Sequence, residues 1–197
     1  MSRIPWVIGT GPAVPIAAGL GTELDEVPAV AFDAEWSDGP RIEEWRSRVA
    51  AGPKVDQVVV AVWPESPRSS PVVDLDLDGW VSTMEEQFAL WFAALAAGSE
   101  RCADGGQVVA VVDRPDPMAS GGWSAVSAVA DAVEVMTRSF AQIHEPRGVR
   151  VNLVTTPARL TGSPPEELVD VVGAVAMLLS GGGGVTSSVV HTGGAGR

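Results

Sequence analysis

The chain has 197 residues, 46% of them hydrophobic and 19% charged, long enough to bury one full core and too apolar for a disordered chain. A formal charge of −12 and an isoelectric point near 4.4 leave no electrostatic footprint for nucleic acid and oppose anionic lipid, so neither a nucleic acid nor a membrane is an expected partner. One cysteine, Cys102, and two histidines, His144 and His191, exclude an internal disulfide and any cluster with zinc spacing.

In chain order, residues 1–20 are apolar but carry one basic residue, Arg3, and are interrupted by Pro5, Pro12 and Pro15. They read as folded chain rather than a secretion signal, and the cytoplasm is the expected compartment. A first strand is predicted over 4–8. Valine-rich runs between glycine, proline and aspartate predict strands over 27–32, 57–62, 107–112 and 149–154, and a last one over 185–191. Their continuous apolar character is that of strands covered on both faces. Helices are predicted over 41–51, 78–97, 124–143 and 166–179, the last opening at Pro164 and Pro165. The helix over 78–97 carries Trp80, Met84, Phe88, Trp91, Phe92 and Leu95 at helical spacing; that over 124–143 carries Val126, Val129, Val133, Met136 and Phe140. Residues 64–71 read as a proline and serine linker, and 181–184 as a glycine loop. Strands alternating with helices predict an α/β chain: a Rossmann-like, doubly wound parallel sheet in three layers, with residues 1–197 as a single domain.

Five segments, in order, resemble the short-chain dehydrogenase/reductase family, most of all its 3-oxoacyl-carrier-protein reductase branch. Asp74-Leu-Asp-Leu-Asp-Gly-Trp80 before a long apolar helix resembles the entry into the family's first interface helix. Gly106-Gln-Val-Val-Ala-Val-Val112 resembles the strand that ends in the catalytic serine. Ala132-Val-Glu-Val-Met-Thr-Arg-Ser-Phe-Ala141 is similar to the helix after the Tyr-x-x-x-Lys pair, and Arg147-Gly-Val-Arg-Val-Asn-Leu-Val154 to the next strand. The tail, with His191-Thr-Gly-Gly194, resembles the closing strand and glycines.

Position by position, the resemblance brings none of the family's catalytic groups. Ungapped alignment puts Val126 at the tyrosine, Ala130 at the lysine, Asp113 at the serine and Gln87 at the asparagine. In active members the tyrosine moves the proton, the lysine lowers its pKa and holds the nicotinamide ribose, and the serine positions the carbonyl. Valine and alanine do none of this. The chain has no tyrosine at all, and its one lysine, Lys54, lies far upstream. At the cofactor end, Val7-Ile-Gly-Thr-Gly11 begins like the glycine-rich turn, which makes Gly9 and Gly11 vestigial cofactor positions, yet the next two glycine positions fall on Ala13 and Pro15. Gly19 and Gly21 match no phosphate-loop spacing. Ala61-Val-Trp-Pro64 stands where the family has Asn-Asn-Ala-Gly, which puts the Trp63 indole on the ribose path. The stretch from Ile8 to Val62 is short by about one βα unit, so one strand and helix of the cofactor half are expected to be missing.

Asp33, after the strand over 27–32, is read as a ribose ligand or a helix cap. Asp113 is read as a site carboxylate or a cap beside Arg114, and His144 as a partner of a helix dipole. The acid pairs Glu85 with Glu86 and Glu166 with Glu167 read as solvated charges. Trp80, Trp91 and Trp123 are core or interface. Trp91 and Phe92 are adjacent and cannot both face one core, so Phe88, Trp91, Phe92 and Leu95, with Ala128, Ala132 and Met136 of the following helix, form the expected interface. The resemblance thus implies a noncatalytic subunit that pairs with a catalytically competent homologue in a hetero-oligomeric oxidoreductase of lipid or steroid metabolism. No metal and no resident cofactor are expected in this chain, NAD(P) belonging to the partner; a homo-oligomer is the other assembly. The alternative is an NAD(P)-dependent reductase or dehydrogenase of an acyl-thioester or steroid-like ketone or alcohol, with a rearranged site around Asp113. A third reading is a small-molecule binding module in the vacated cleft.

Overall fold

Runs of valine without polar alternation need cover on both faces of a sheet, and they receive it. In the computed structural model, which describes residues 4–28, 39–65, 67, 69–74, 76–160, 168–180 and 184–193, Val58, Val59 and Val60 and their neighbours Val108 to Val111 are fully buried. The strands are β1 (Trp6–Gly9), β2 (Leu24–Glu26), β3 (Val55–Ala61), β4 (Cys102–Asp113), β5 (Arg150–Thr156) and β6 (Val189–His191). They form one parallel sheet in the order β2-β1-β3-β4-β5-β6.

The helices are α1 (Val14–Gly19), α2 (Gly39–Ala50), α3 (Leu77–Trp80), α4 (Glu86–Arg101), α5 (Ser124–His144) and α6 (Leu168–Leu179). α2, α4 and α5 pack side by side, α1 packs on α6, and together they flank the sheet as an α/β, Rossmann-like fold. α4 lies close to the strands because its inner face is small: Ala93, Ala94, Ala97 and Gly98 are buried, and a Cβ on Gly98 would stand 3.1 Å from Val58 and 3.3 Å from Val60. Among the described residues no helix is long and apolar enough to cross a membrane.

Several elements differ from their sequence expectation. β2 pairs Leu24 and Asp25 with Val7 and Ile8 and lies before the strand expected over 27–32, of which Val27 and Pro28 are in no strand and 29–32 are outside the described residues. Asp33 is outside the described residues, as are 166, 167 and 181–183. β2 is the one strand beyond β1 among the described residues, in keeping with a shortened N-terminal half. The helix expected over 78–97 is α3, a π-helical turn (Val81–Glu85) and α4 in succession. α1 forms where the sequence predicts no helix, within the proline-interrupted run of residues 1–20. Prolines in a first turn lack only N–H groups that would have no helical partner anyway. Gly19 and Gly21 serve this helix: a Cβ on Gly19 would meet Val172 of α6 at 2.7 Å, and Gly21 turns the chain at φ +72°.

Candidate functional site

The order of the strands fixes where to look. From β1 the chain crosses to β2 on one side and returns to β3 on the other, and the crevice between such carboxyl ends is where doubly wound sheets hold ligands. Here that crevice is laced together. Thr10 Oγ1 donates to the Trp63 carbonyl at 2.6 Å and accepts from the Trp63 N–H at 2.8 Å, while the Thr10 N–H donates to the Ala61 carbonyl at 3.2 Å. Gly9 makes this approach possible, because a Cβ there would stand 2.3 Å from the Ala61 carbonyl oxygen, well inside van der Waals contact. A Cβ on Gly11 would lie 3.5 Å from a carboxylate oxygen of Glu26 and of Glu65, so the turn faces two acids. Pro12 and Pro15 remove two backbone donors from the turn and from the start of α1.

Trp63 turns inward from the end of β3. Its indole is buried and Nε1 donates to the Val111 carbonyl of β4 at 2.9 Å. Beside it stands Arg159, three residues after β5, with its guanidinium 4.9 Å from the indole centroid. Arg159 donates to Asp113 Oδ2 at 2.6 Å and to the Pro64 carbonyl at 2.7 Å, so one side chain ties together the ends of β3, β4 and β5. Burial pushes the Asp113 carboxyl up to about 6 despite the lowering pull of Arg159.

Next to this knot a cavity of about 620 Å³ opens between the carboxyl ends of β3 and β4, the first turns of α4 and α5, and the described part of the 64–71 segment. Gln87, Asp113 and Val126, which the sequence resemblance placed at catalytic positions, all line it. Ala130 does not: it is fully buried. The presumed linker contributes wall through Pro64, Glu65, Pro67 and Ser70. Three of the four buried side-chain atoms without a hydrogen-bond partner among the described residues belong to residues of this cavity, namely Gln87 Oε1, Trp91 Nε1 and Asp113 Oδ1. Native structures carry few such atoms, and these three are closed off from the space itself. Among the described residues no group of three or more acidic, histidine or cysteine side chains is placed to hold a metal ion.

The expected interface divides in two. Trp91 and Leu95 are fully buried and belong to the core, so neither presents a surface; the sheet side of α4 takes both. Phe92 is the ring left over, 55% exposed, with Phe140 of α5 at 6.0 Å between centroids. Phe88, Ala128 and Met136 are partly buried beside it, as is Ala132, and Val135 and Ile143 are exposed on α5. His144 is also corrected: it is buried, stacks on Phe140, and is driven toward the neutral form by burial and by Arg147, so it brings little charge to the end of α5. Arg159 and Thr10 escaped the sequence reading. A signal for Arg159 existed, since the end of β5 lies beside the end of β4 that carries Asp113.

The chain matches no protein-family model. No curated protein matches it in sequence. Solved structures do match in fold. A small-chain dehydrogenase superposes with TM-score 0.68 at 16% identity, over 98% of this chain and 99% of that one. A short-chain dehydrogenase/reductase from Serratia marcescens gives 0.66 at 16% identity, over 95% and 94%. BdcA, in complex with NADPH, gives 0.65 at 16% identity, over 97% and 93%. At these identities the likeness is one of fold.

Proposed function

We propose that this chain is a noncatalytic subunit with the short-chain dehydrogenase/reductase fold, pairing through the outer face of α4 and α5 with a catalytically competent homologue that carries NAD(P). One contrast supports the reading: the ligand crevice of the fold is filled from within, while a helical face beside it is left apolar. A nicotinamide dinucleotide does not fit the residues present. Its pyrophosphate would meet Glu26 and Glu65 at a turn stripped of two donors, and the Thr10–Trp63 clasp and Arg159 stand in its path. On the outer face, Phe92 supplies a large exposed ring, and Ala128 and Ala132 allow a partner helix to approach. The test is co-expression with an intact short-chain dehydrogenase/reductase encoded beside it, followed by size-exclusion chromatography with light scattering. A single mixed species, reducing ketones only when the partner is intact, is expected. A chain that stays monomeric at tens of micromolar, alone and with such homologues, overturns it.

A second reading, a reductase of acyl-thioester or steroid-like ketones working through Asp113, draws on that carboxyl's elevation to about 6, a value suited to proton transfer near neutrality. Turnover of NAD(P)H with any ketone by the isolated chain would favour it over the first.

A further inference from the structure

We infer that the exposed face of the helical run 77–101 and of α5 fits a partner whose contacting surface is basic, and that it discriminates against a second copy of this chain. The inference rests on the pairing face proposed above and adds the chemistry of its occupant. α3, the π-helical turn and α4 follow one another with helical dihedrals at each junction, so Leu77 to Arg101 is a single helical run. Its exposed large side chains are Leu77, Trp80 and Phe92, and α5 adds Val135 and Ile143. The charges interleaved with them are of one sign. From Ser69 to Glu100 the sequence carries Asp74, Asp76, Asp78, Glu85, Glu86 and Glu100, and neither lysine nor arginine.

Few of these acids are matched from within. Asp76 caps the run, accepting from the Gly79 N–H at 2.8 Å, and Glu100 pairs with Arg46 of α2. Among the described residues no basic side chain pairs with Asp78, Glu85 or Glu86. Glu86 is half-buried at the start of α4, and burial raises its carboxyl from the ordinary value, the condition of a group that a neighbouring cation would relieve. The arginines nearby are already engaged. Arg101 donates to the Pro53 carbonyl at 2.9 Å and lies over Trp6, Arg114 pairs with Asp131 and Glu134, Arg138 with Glu134, and Arg147 with Asp104. A second copy would therefore bring the same apolar side chains and the same acids with no uncommitted cation, and a formal charge of −12 on each chain adds long-range repulsion. A partner that carries lysine or arginine around an apolar patch answers both the exposed apolar side chains and the carboxylates between them.

The probes are two dye-labelled amphipathic peptides, leucine with lysine and leucine with glutamate at helical spacing, titrated with the isolated full chain by fluorescence anisotropy. The lysine peptide is expected to bind, the glutamate peptide not, and binding should weaken about tenfold between about 50 and 300 mM salt. Asp78→Asn with Glu85→Gln and Glu86→Gln, and separately Phe92→Ala, should each weaken it about tenfold. Glu23→Gln with Glu44→Gln and Asp170→Asn, an equal change of net charge at exposed positions elsewhere, should leave it unchanged. Should the first triple variant not fold, the salt series and Phe92→Ala decide. Sedimentation equilibrium should show the chain alone as a monomer at low salt. A dimer of the chain alone at low salt, no binding of the lysine peptide, equal binding of the glutamate peptide, indifference to salt or to Phe92→Ala, or equal weakening by the control triple each overturns the inference. The two readings fail apart. A mixed species with the homologue that ignores salt and the first triple change removes this inference and leaves the pairing, whereas no mixed species, with the lysine peptide still bound at this face, removes the pairing and leaves this inference.

Discussion

Asp113 stands where the sequence resemblance assigns a serine, and its neighbours decide its chemistry. Burial raises its carboxyl from the ordinary 3.8 to about 6, although Arg159 pulls the other way. An acid raised in this manner holds its proton more tightly in the folded state than in the unfolded chain. Its contribution to stability is therefore complete below about pH 4 and is lost as pH rises to about 6, a change on the order of 3 kcal/mol. Asp113→Asn, which titrates nothing, should show a smaller fall in urea midpoint between about pH 5 and pH 7 than wild type; parallel profiles would rule the assignment out. Gly9 makes a second case at this scale. Gly9→Ala drives a methyl against the Ala61 carbonyl oxygen and should destabilise by about 1–3 kcal/mol, measured by chemical unfolding.

At the scale of the element, α4 separates two roles that adjacent aromatic residues left entangled. Trp91 points to the sheet and Phe92 away from it, because successive residues on a helix project about 100° apart. Trp91→Glu buries a charge in the core and should abolish folding. Phe92→Glu removes only an exposed ring. It should leave the melting temperature near that of wild type while weakening association by about 2 kcal/mol, roughly thirtyfold, read by analytical ultracentrifugation. Phe92→Glu assembling as wild type does would detach the interface from this face.

For the whole molecule, a crevice filled from within predicts that a reductase is not created by substituting side chains alone. Installing serine, tyrosine and lysine through Asp113→Ser, Val126→Tyr and Ala130→Lys should yield no NADPH-dependent reduction of ketones. Nothing in those changes opens the Thr10–Trp63 clasp or moves Glu26 and Glu65, and hydride transfer needs both reactants positioned. Ala130 is also fully buried, so a lysine there would have to be buried as a charge or displace the core. Calorimetric titration of wild type and variant with NADPH up to millimolar concentration should give no binding heat. Tight binding, with turnover, would mean that the crevice opens.

Composition and periodicity by themselves determined the parallel α/β sheet, since an unbroken valine run such as Val58 to Val60 is stable only with helices over both faces. The absence of tyrosine is a fact of the sequence alone. Local pattern also showed that one of Trp91 and Phe92 had to be left over, but not which, because that depends on how α4 rotates against the strands. Tertiary structure alone decided the rest. Arg159 reaches Asp113 across 46 residues and Trp63 meets Thr10 across 53, and contacts between sites so far apart leave no periodic trace in sequence. The lining of the cavity belongs to the same class: Gln87, Trp91 and Asp113 are ordinary residues in their own segments, and only the packing of α4 against the end of β4 brings them to one space.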